Sequence, residues 1–171
     1  MKCRVTTLLA TLPATALLLF TIGTKPAPRY IWNVSQSVPI GLYRLRSIGR
    51  LFVTELVAVQ PPEPLATLLS DGGYLPRGIP MLKRVLALPG QTVCRDHLTI
   101  TVDKVEAGHA LVRDGRGREL PIWQGCRVIA DGEIFLMNWR SVESLDGRYF
   151  GLLPTTAIVG RVEPLWTDEE G

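Results

Sequence analysis

Between Val5 and Gly23 the chain reads VTTLLATLPATALLLFTIG, without one charged residue, and this run limits what the N-terminus can become. As a helix rising about 1.5 Å per residue it is just long enough to cross a bilayer core of about 30 Å. Lys2 and Arg4 ahead of it look like the basic flank of a signal peptide, but the following TKPAPRY offers no clean small-x-small cleavage site. An anchor that stays attached is therefore preferred over a removed leader. Pro13 would cost a soluble helix about 3 kcal/mol, yet neighbours in a membrane re-satisfy the carbonyl it frees. The flanks do not set an orientation, because Lys2 and Arg4 face Lys25 and Arg29. Residues 1–24 read as a membrane anchor or signal-like segment, and residues 25–171 as one further domain; 171 residues in all are too few for two independent cores beside the anchor.

Beyond the juxtamembrane prolines, short strand-like segments dominate. Leu51 to Gln60 is rich in apolar and β-branched residues and stops at Pro61-Pro62. Glu63 to Ser70 predicts a short helix, with Pro64 at its first position and Asp71-Gly72-Gly73 after it. Met81 to Leu88, bounded by Pro80 and Pro89-Gly90, predicts a strand that is apolar on both faces. Leu98–Val102, Ala110–Arg113, Arg127–Ala130, Glu133–Met137 and Ile158–Val162 are further strand candidates, with Asp-Gly turn signals near several of them. The pattern predicts a mainly β domain, not a parallel α/β sheet.

A net charge of +3 with scattered basic residues gives no nucleic-acid footprint. His97, His109 and the cysteines lack the spacing of a zinc site, so no metal is expected. Cys94 and Cys126 could form a disulfide in an oxidising compartment or remain two separately buried thiols.

Neither histidine sits where a catalytic base would be expected, and no G-x-S-x-G elbow is present. Lys83 is the anomaly. Period two places it on one face of its strand with Val85 and Ala87, among apolar neighbours. An ordinary lysine is neutral at pH 7 in about one molecule in a few thousand, but desolvation that disfavours the ammonium by about 4 kcal/mol brings its pKa close to neutrality. On the strand pattern alone, a lysine whose stem packs on the sheet while its amine reaches solvent is the commoner outcome. The segment NVSQSVPIGLY, Asn33 to Tyr43, is a rigid bend: Pro39 fixes its own φ and extends Val38, and Gly41 permits a sharp turn. Such a bend can present Ser37, with its own N–H available to an oxyanion and Ser35 as a second donor on the same face.

Three ordered blocks resemble the signal peptidase I superfamily, which uses a serine/lysine dyad, and most closely its conjugative-transfer branch, the TraF-type pilin-maturing peptidases. NVSQSVPIGLY is similar to that branch's N-x-x-x-S-x-P-x-G-x-Y nucleophile box, and LKRVLALPGQTV to its K-R-V-x-x-L-P-G box. GEIFLMNWRSVESLDGRYFGLLP resembles the box ending S-x-D-[SG]-R-Y-x-G-P, and the tail IVGRVEPLW resembles the branch's ending. The resemblance implies Ser37 as nucleophile, Lys83 as general base, Ser144 as a residue orienting the amine, and Asp146 and Arg148 as a supporting ion pair, with Asp146 among the functionally needed residues. It also implies a disulfide between Cys94 and Cys126, and no cofactor. Three departures from general signal peptidases, Val38 for methionine, Gln91 for aspartate and Met137-Asn138-Trp139-Arg140 for Gly-Asp-Asn-Arg, point toward the conjugative branch and away from housekeeping enzymes.

The implied fold is a signal-peptidase-like domain of coiled antiparallel sheets with one N-terminal transmembrane helix. The implied function is endoproteolysis of an exported precursor at the bacterial inner membrane, with the catalytic domain in the periplasm. Its substrate would be the propilin of a conjugation apparatus, its product linear or cyclised, and other apparatus proteins would be partners. Rivals are a general leader peptidase and a non-catalytic envelope scaffold. A self-cleaving repressor fits less well, since a membrane segment, not a DNA-binding helix pair, precedes the catalytic part.

Overall fold

The computed structural model describes Thr11, Pro13 and Thr15, all helical, and residues 29–168. The rest of the expected anchor lies outside the described residues. Among those described, no helix is long and apolar enough to cross a membrane.

The described domain is mainly β, and its strands pair antiparallel. One sheet has the order β1-β2-β11-β3-β4-β9-β10, built from β1 Tyr30–Asn33, β2 Gly41–Arg46, β3 Leu56–Val59, β4 Met81–Ala87, β9 Glu133–Leu136, β10 Leu153–Pro154 and β11 Ile158–Thr167. The other has the order β7-β6-β5-β8, from β5 Thr92–Asp96, β6 Thr99–Val102, β7 Val105–His109 and β8 Gly125–Val128. β3 is buried along its whole length, and β4 nearly so, which explains their continuous apolar sequence. Val57, Val59, Met81, Val85, Ile134 and Leu136 form the centre of the main core, closed by Leu65 and Leu69 of the helix Leu65–Asp71. A separate cluster around Ala87, Val93, Ile100 and Phe135 joins the two sheets.

Several expectations need correction. The strand expected over 51–60 is shortened to Leu56–Val59, because the chain ahead of it turns and crosses to β4, with Thr54 N–H donating to Val85 O at 2.7 Å. The helix begins at Leu65, with Pro64 as the capping residue instead of the first helical one. Ala110–Arg113 is not a strand: Arg113 makes one isolated bridge to Glu119, while Ala110 packs into a small core with Leu120 and Tyr149. β1, β2, β5, β7 and the two-residue β10 were not anticipated. TVCRD is largely polar and VEAGH is mixed and largely exposed, so the ladder and tight turns hold them as strands where apolar alternation does not.

Cys94 and Cys126 face each other in the β5–β8 register and are joined by a disulfide. β8 is exposed along its length and lies at the sheet edge, so it brings little burial of its own. The cross-link restricts the unfolded chain over a separation of 32 residues. Replacing both cysteines with serine should therefore cost about 2–4 kcal/mol. Denaturant melts of the double variant, and of wild type with and without reductant, check this. A midpoint insensitive to both would show that the sheet edge holds without its cross-link.

Candidate active site

The bend over residues 34–40 connects β1 to β2, and each residue shared with the box that carries the resemblance has a physical task there. Asn33 is buried; its Nδ2 donates to the carbonyls of Ser35, Val38 and Pro39 at 2.7, 3.1 and 2.9 Å, and its Oδ1 accepts from Ser35 N–H. One carboxamide thus ties the whole bend. The Tyr43 hydroxyl donates to Pro39 O at 2.7 Å from the opposite side. Gly41 has φ +152°, and a Cβ there would stand 2.1 Å from the backbone oxygen of Trp166, so no side chain fits. Ser37 is left half-buried at the wall of a cleft of about 550 Å³.

Lys83 enters the same cleft from β4. Met81 and Val85, its neighbours on that face, belong to the main core, and Lys83 itself is only 5% exposed. Burial lowers its pKa from 10.5 to about 8; the carboxylate of Asp146 acts against that fall and the guanidinium of Arg148 adds to it. The amine donates to Ser144 Oγ at 2.8 Å. Ser37 Oγ shares a hydrogen bond of 3.0 Å with Ser35 Oγ, which also accepts from Ser37 N–H at 3.3 Å. In this state the lysine is therefore bonded to Ser144, and Ser37 to Ser35, across one cavity lined by all four residues. In free enzymes generally, the bond between a base and its nucleophile is often long and tightens only when substrate is bound.

Asp146 and Arg148 lie behind this arrangement, not at its surface. Both are fully buried, and they form a two-pronged ion pair at 2.9 and 3.0 Å. Asp146 also caps the short helix Gly147–Phe150 and accepts from Asn138 N–H at 3.0 Å. Arg148 donates to the carbonyls of Ser141, Ser144 and His109. The pair thus fixes the loop that carries Ser144, while contributing to the field at Lys83. Asp146→Asn leaves a buried guanidinium without its counter-charge, for an expected loss of about 3–5 kcal/mol, and Asp146→Asn with Arg148→Met should recover part of it. Chemical denaturation of the single and double variants reads this directly; a single variant as stable as wild type would refute the bracing role.

Asn33 and Asn138 are the site residues whose roles sequence reasoning missed. Asn33 had a signal, as the first residue of the nucleophile box. Asn138 stood only among the departures from general signal peptidases, although a lone amide following the apolar IFLM is itself a cue. Arg140, the last residue of that departure, is exposed at the rim of the cleft. On the far side of Ser37 a smaller recess of about 100 Å³ is lined by Arg84, Trp139 and Arg140, and the guanidinium of Arg84 lies over the Trp139 ring. The side chain of His97 is 93% exposed and that of His109 59%, and neither lines the cleft. Among the described residues no group of three His, Cys, Asp or Glu side chains could hold a metal ion.

Comparison with known proteins adds independent findings. The family described as signal peptidase, peptidase S26, matches residues 4–166. A conjugal transfer protein TraF of Agrobacterium fabrum strain C58 is 34% identical over 149 residues, 81% of this chain and 82% of that protein. A probable signal peptidase I-1 of Synechocystis is 31% identical over 108 residues, 63% of this chain and 50% of that protein. A crystal structure of a signal peptidase I from Enterococcus faecalis aligns with a TM-score of 0.42 at 18% identity, covering 68% of this chain and all of that one; this likeness is too weak to carry an argument.

Proposed function

The chain belongs to the signal peptidase family, peptidase S26, among its TraF-type members, and on that premise we propose that it is a membrane-anchored serine endopeptidase using Ser37 and Lys83. Its proposed substrate is an exported precursor, the propilin of a conjugative transfer system, cleaved at the periplasmic face of the inner membrane. The observation that carries the mechanism is the buried Lys83 amine, lowered to about 8, opening into the cleft that holds Ser37. At that value about one amine in ten is uncharged at pH 7, a gain of more than a hundredfold over ordinary lysine.

Ser37 Oγ attacks the scissile carbonyl carbon as its proton passes to Lys83 Nζ. The resulting oxyanion needs donors, and the Ser37 N–H and the Ser35 hydroxyl are the groups at hand. The tetrahedral intermediate collapses as the C–N bond breaks and Lys83 returns the proton to the departing amine. Ser144, already bonded to the amine, holds it in place between these steps. Water then resolves the ester, with Lys83 again taking a proton; a peptide amine in place of water would close a cyclic product. No cofactor takes part.

Two features support membrane work. The uncharged run of residues 5–23 suits an anchor, which raises the effective concentration of a substrate held in the same bilayer. Tyr30, Trp32 and Trp166 are each more than half exposed, and the two tryptophan rings stack at 5.7 Å beside the β1 end of the cleft. Exposed aromatic rings of this kind favour the headgroup region.

The Synechocystis relative favours one second reading, a general leader peptidase. Incubating the full-length protein in membranes with a candidate propilin and, separately, with a generic secretory leader, followed by mass measurement of the products, distinguishes them. The proposed reading requires a defined cut in the propilin that Ser37→Ala abolishes. Preferential cutting of the generic leader would favour the rival, and conjugative transfer that survives both Ser37→Ala and Lys83→Ala would make the protein a scaffold.

A further inference from the structure

We propose that Asn138 is a positioning residue for Lys83, its carboxamide taking the place of a missing strand along one edge of β4. This inference rests on the reading of Lys83 as the general base. On one edge β4 pairs with β3, where Val57 stands opposite Lys83. On the other edge β9 accompanies it through Leu136 opposite Val85, and the last backbone bond runs from Met137 N–H to Arg84 O at 2.9 Å. There the backbone turns away, with Ser141 N–H donating to Asn138 O at 2.9 Å.

The two peptide groups of β4 that flank Lys83 would be left without partners by this departure. The Asn138 side chain supplies them: its Nδ2 donates to Leu82 O at 3.1 Å and its Oδ1 accepts from Arg84 N–H at 3.0 Å. A carboxamide offers the same donor and acceptor as a backbone peptide, and here they bracket one residue of the neighbouring strand. Asn138 is 1% exposed, so no solvent could replace these bonds without entering the wall behind the lysine. Its own N–H donates to Asp146 Oδ2, which ties the β4 backbone at Lys83 to the ion pair that holds the Ser144 loop. One residue therefore sets the spacing between the amine and its bonding partner. Leucine would fill similar space but make neither bond.

The charged groups acting on the amine are Asp146, which favours the ammonium, and Arg148, which opposes it; Arg84 is its chain neighbour on the opposite face. Asn138→Ala removes both bonds and lets water reach Leu82 O and Arg84 N–H. The amine then loses placement and dryness together.

The test uses full-length protein with isotopically labelled lysine. Lys2, Lys25, Lys83 and Lys104 are the only lysines, so the Lys83 signal can be assigned with Lys83→Met. Asn138→Ala is compared with wild type, and Asn138→Ser serves as a milder variant should alanine prevent folding. The expected result is a Lys83 titration midpoint above the wild-type value and a kcat at pH 7 lower by about a hundredfold, with KM within about twofold. Lower thermal stability with the midpoint and kcat unchanged would make Asn138 structural only and overturn the inference. A wild-type midpoint near 10.5 would overturn it together with the base assignment beneath it, and the titration needs no substrate, so the two failures remain distinguishable.

Discussion

Lys83→Met is expected to be more stable than wild type at pH 7 and unable to process substrate. The folded-state pKa of the amine, about 8, lies below the value of 10.5 that it has in the unfolded chain. Between those values the unfolded chain holds more protons than the folded one, so wild-type stability rises with pH across that window. Below about pH 8 the folded state bears the full cost of the buried ammonium, about 3 kcal/mol at most. Methionine fills comparable space without charge. It forfeits the hydrogen bond to Ser144, for about 1 kcal/mol, so a net gain of about 2 kcal/mol is expected at pH 7. The gain should vanish near pH 10, where the remaining cost of the ammonium has fallen to about the worth of that hydrogen bond, and reverse above the unfolded value of 10.5, where the wild-type amine is largely neutral in both states. Denaturant melts of both proteins from pH 6 to 10 read this; a methionine variant less stable throughout would mean that the lysine is not held against its solvation.

Ser37→Ala is expected to lower the processing rate by at least about a thousandfold, while changing stability by no more than about 0.5 kcal/mol. The two halves of this prediction follow from the same geometry. Among the described residues Ser37 Oγ is bonded only to Ser35 Oγ, at the wall of an open cleft, and the bend is held by Asn33 and Tyr43 whether or not residue 37 has a hydroxyl. Removing the hydroxyl therefore removes the proposed nucleophile and little else. A variant with substantial residual rate would place the attacking group elsewhere. The contrast with Asp146→Asn is informative, because that change should lose activity by loosening the fold.

The parts of the site legible in the sequence were those whose chemistry is unusual for their position. A lysine with Val85 and Ala87 on its face of the strand stands out against its pattern, and Pro39 with Gly41 declares a bend. The paired roles of Asp146 and Arg148 became visible only through resemblance, since an Asp-Gly pair by itself reads as a turn; in the structure the aspartate caps a helix and is buried. The amide of Asn138 after the apolar IFLM was a cue to burial but not to its role, because its bonds go to the backbone of residues 56 and 54 positions away, which leaves no trace in local spacing.

The fold followed the same division. β3 and β4 declared themselves by continuous apolar residues because both of their faces are covered. The β5–β8 sheet is half solvent-facing, and segments such as TVCRD become strands only because cross-strand partners and the Cys94–Cys126 link hold them. Ala110–Arg113 misled in the opposite direction: Ala110 is buried and Leu111 partly buried by loop packing against Tyr149 while Val112 stays exposed, and Leu111 N–H finds the Tyr149 hydroxyl at 3.0 Å in place of a ladder.

The central claim is that Ser37, activated by Lys83, becomes acylated during turnover. Acid quenching of full-length enzyme while it processes its precursor, followed by digestion and mass mapping, examines this covalent step. The expected result is an acyl fragment of the substrate on the peptide containing Ser37, absent from Lys83→Met. An adduct on any other residue, or an adduct on Ser37 formed as quickly without Lys83, would contradict it.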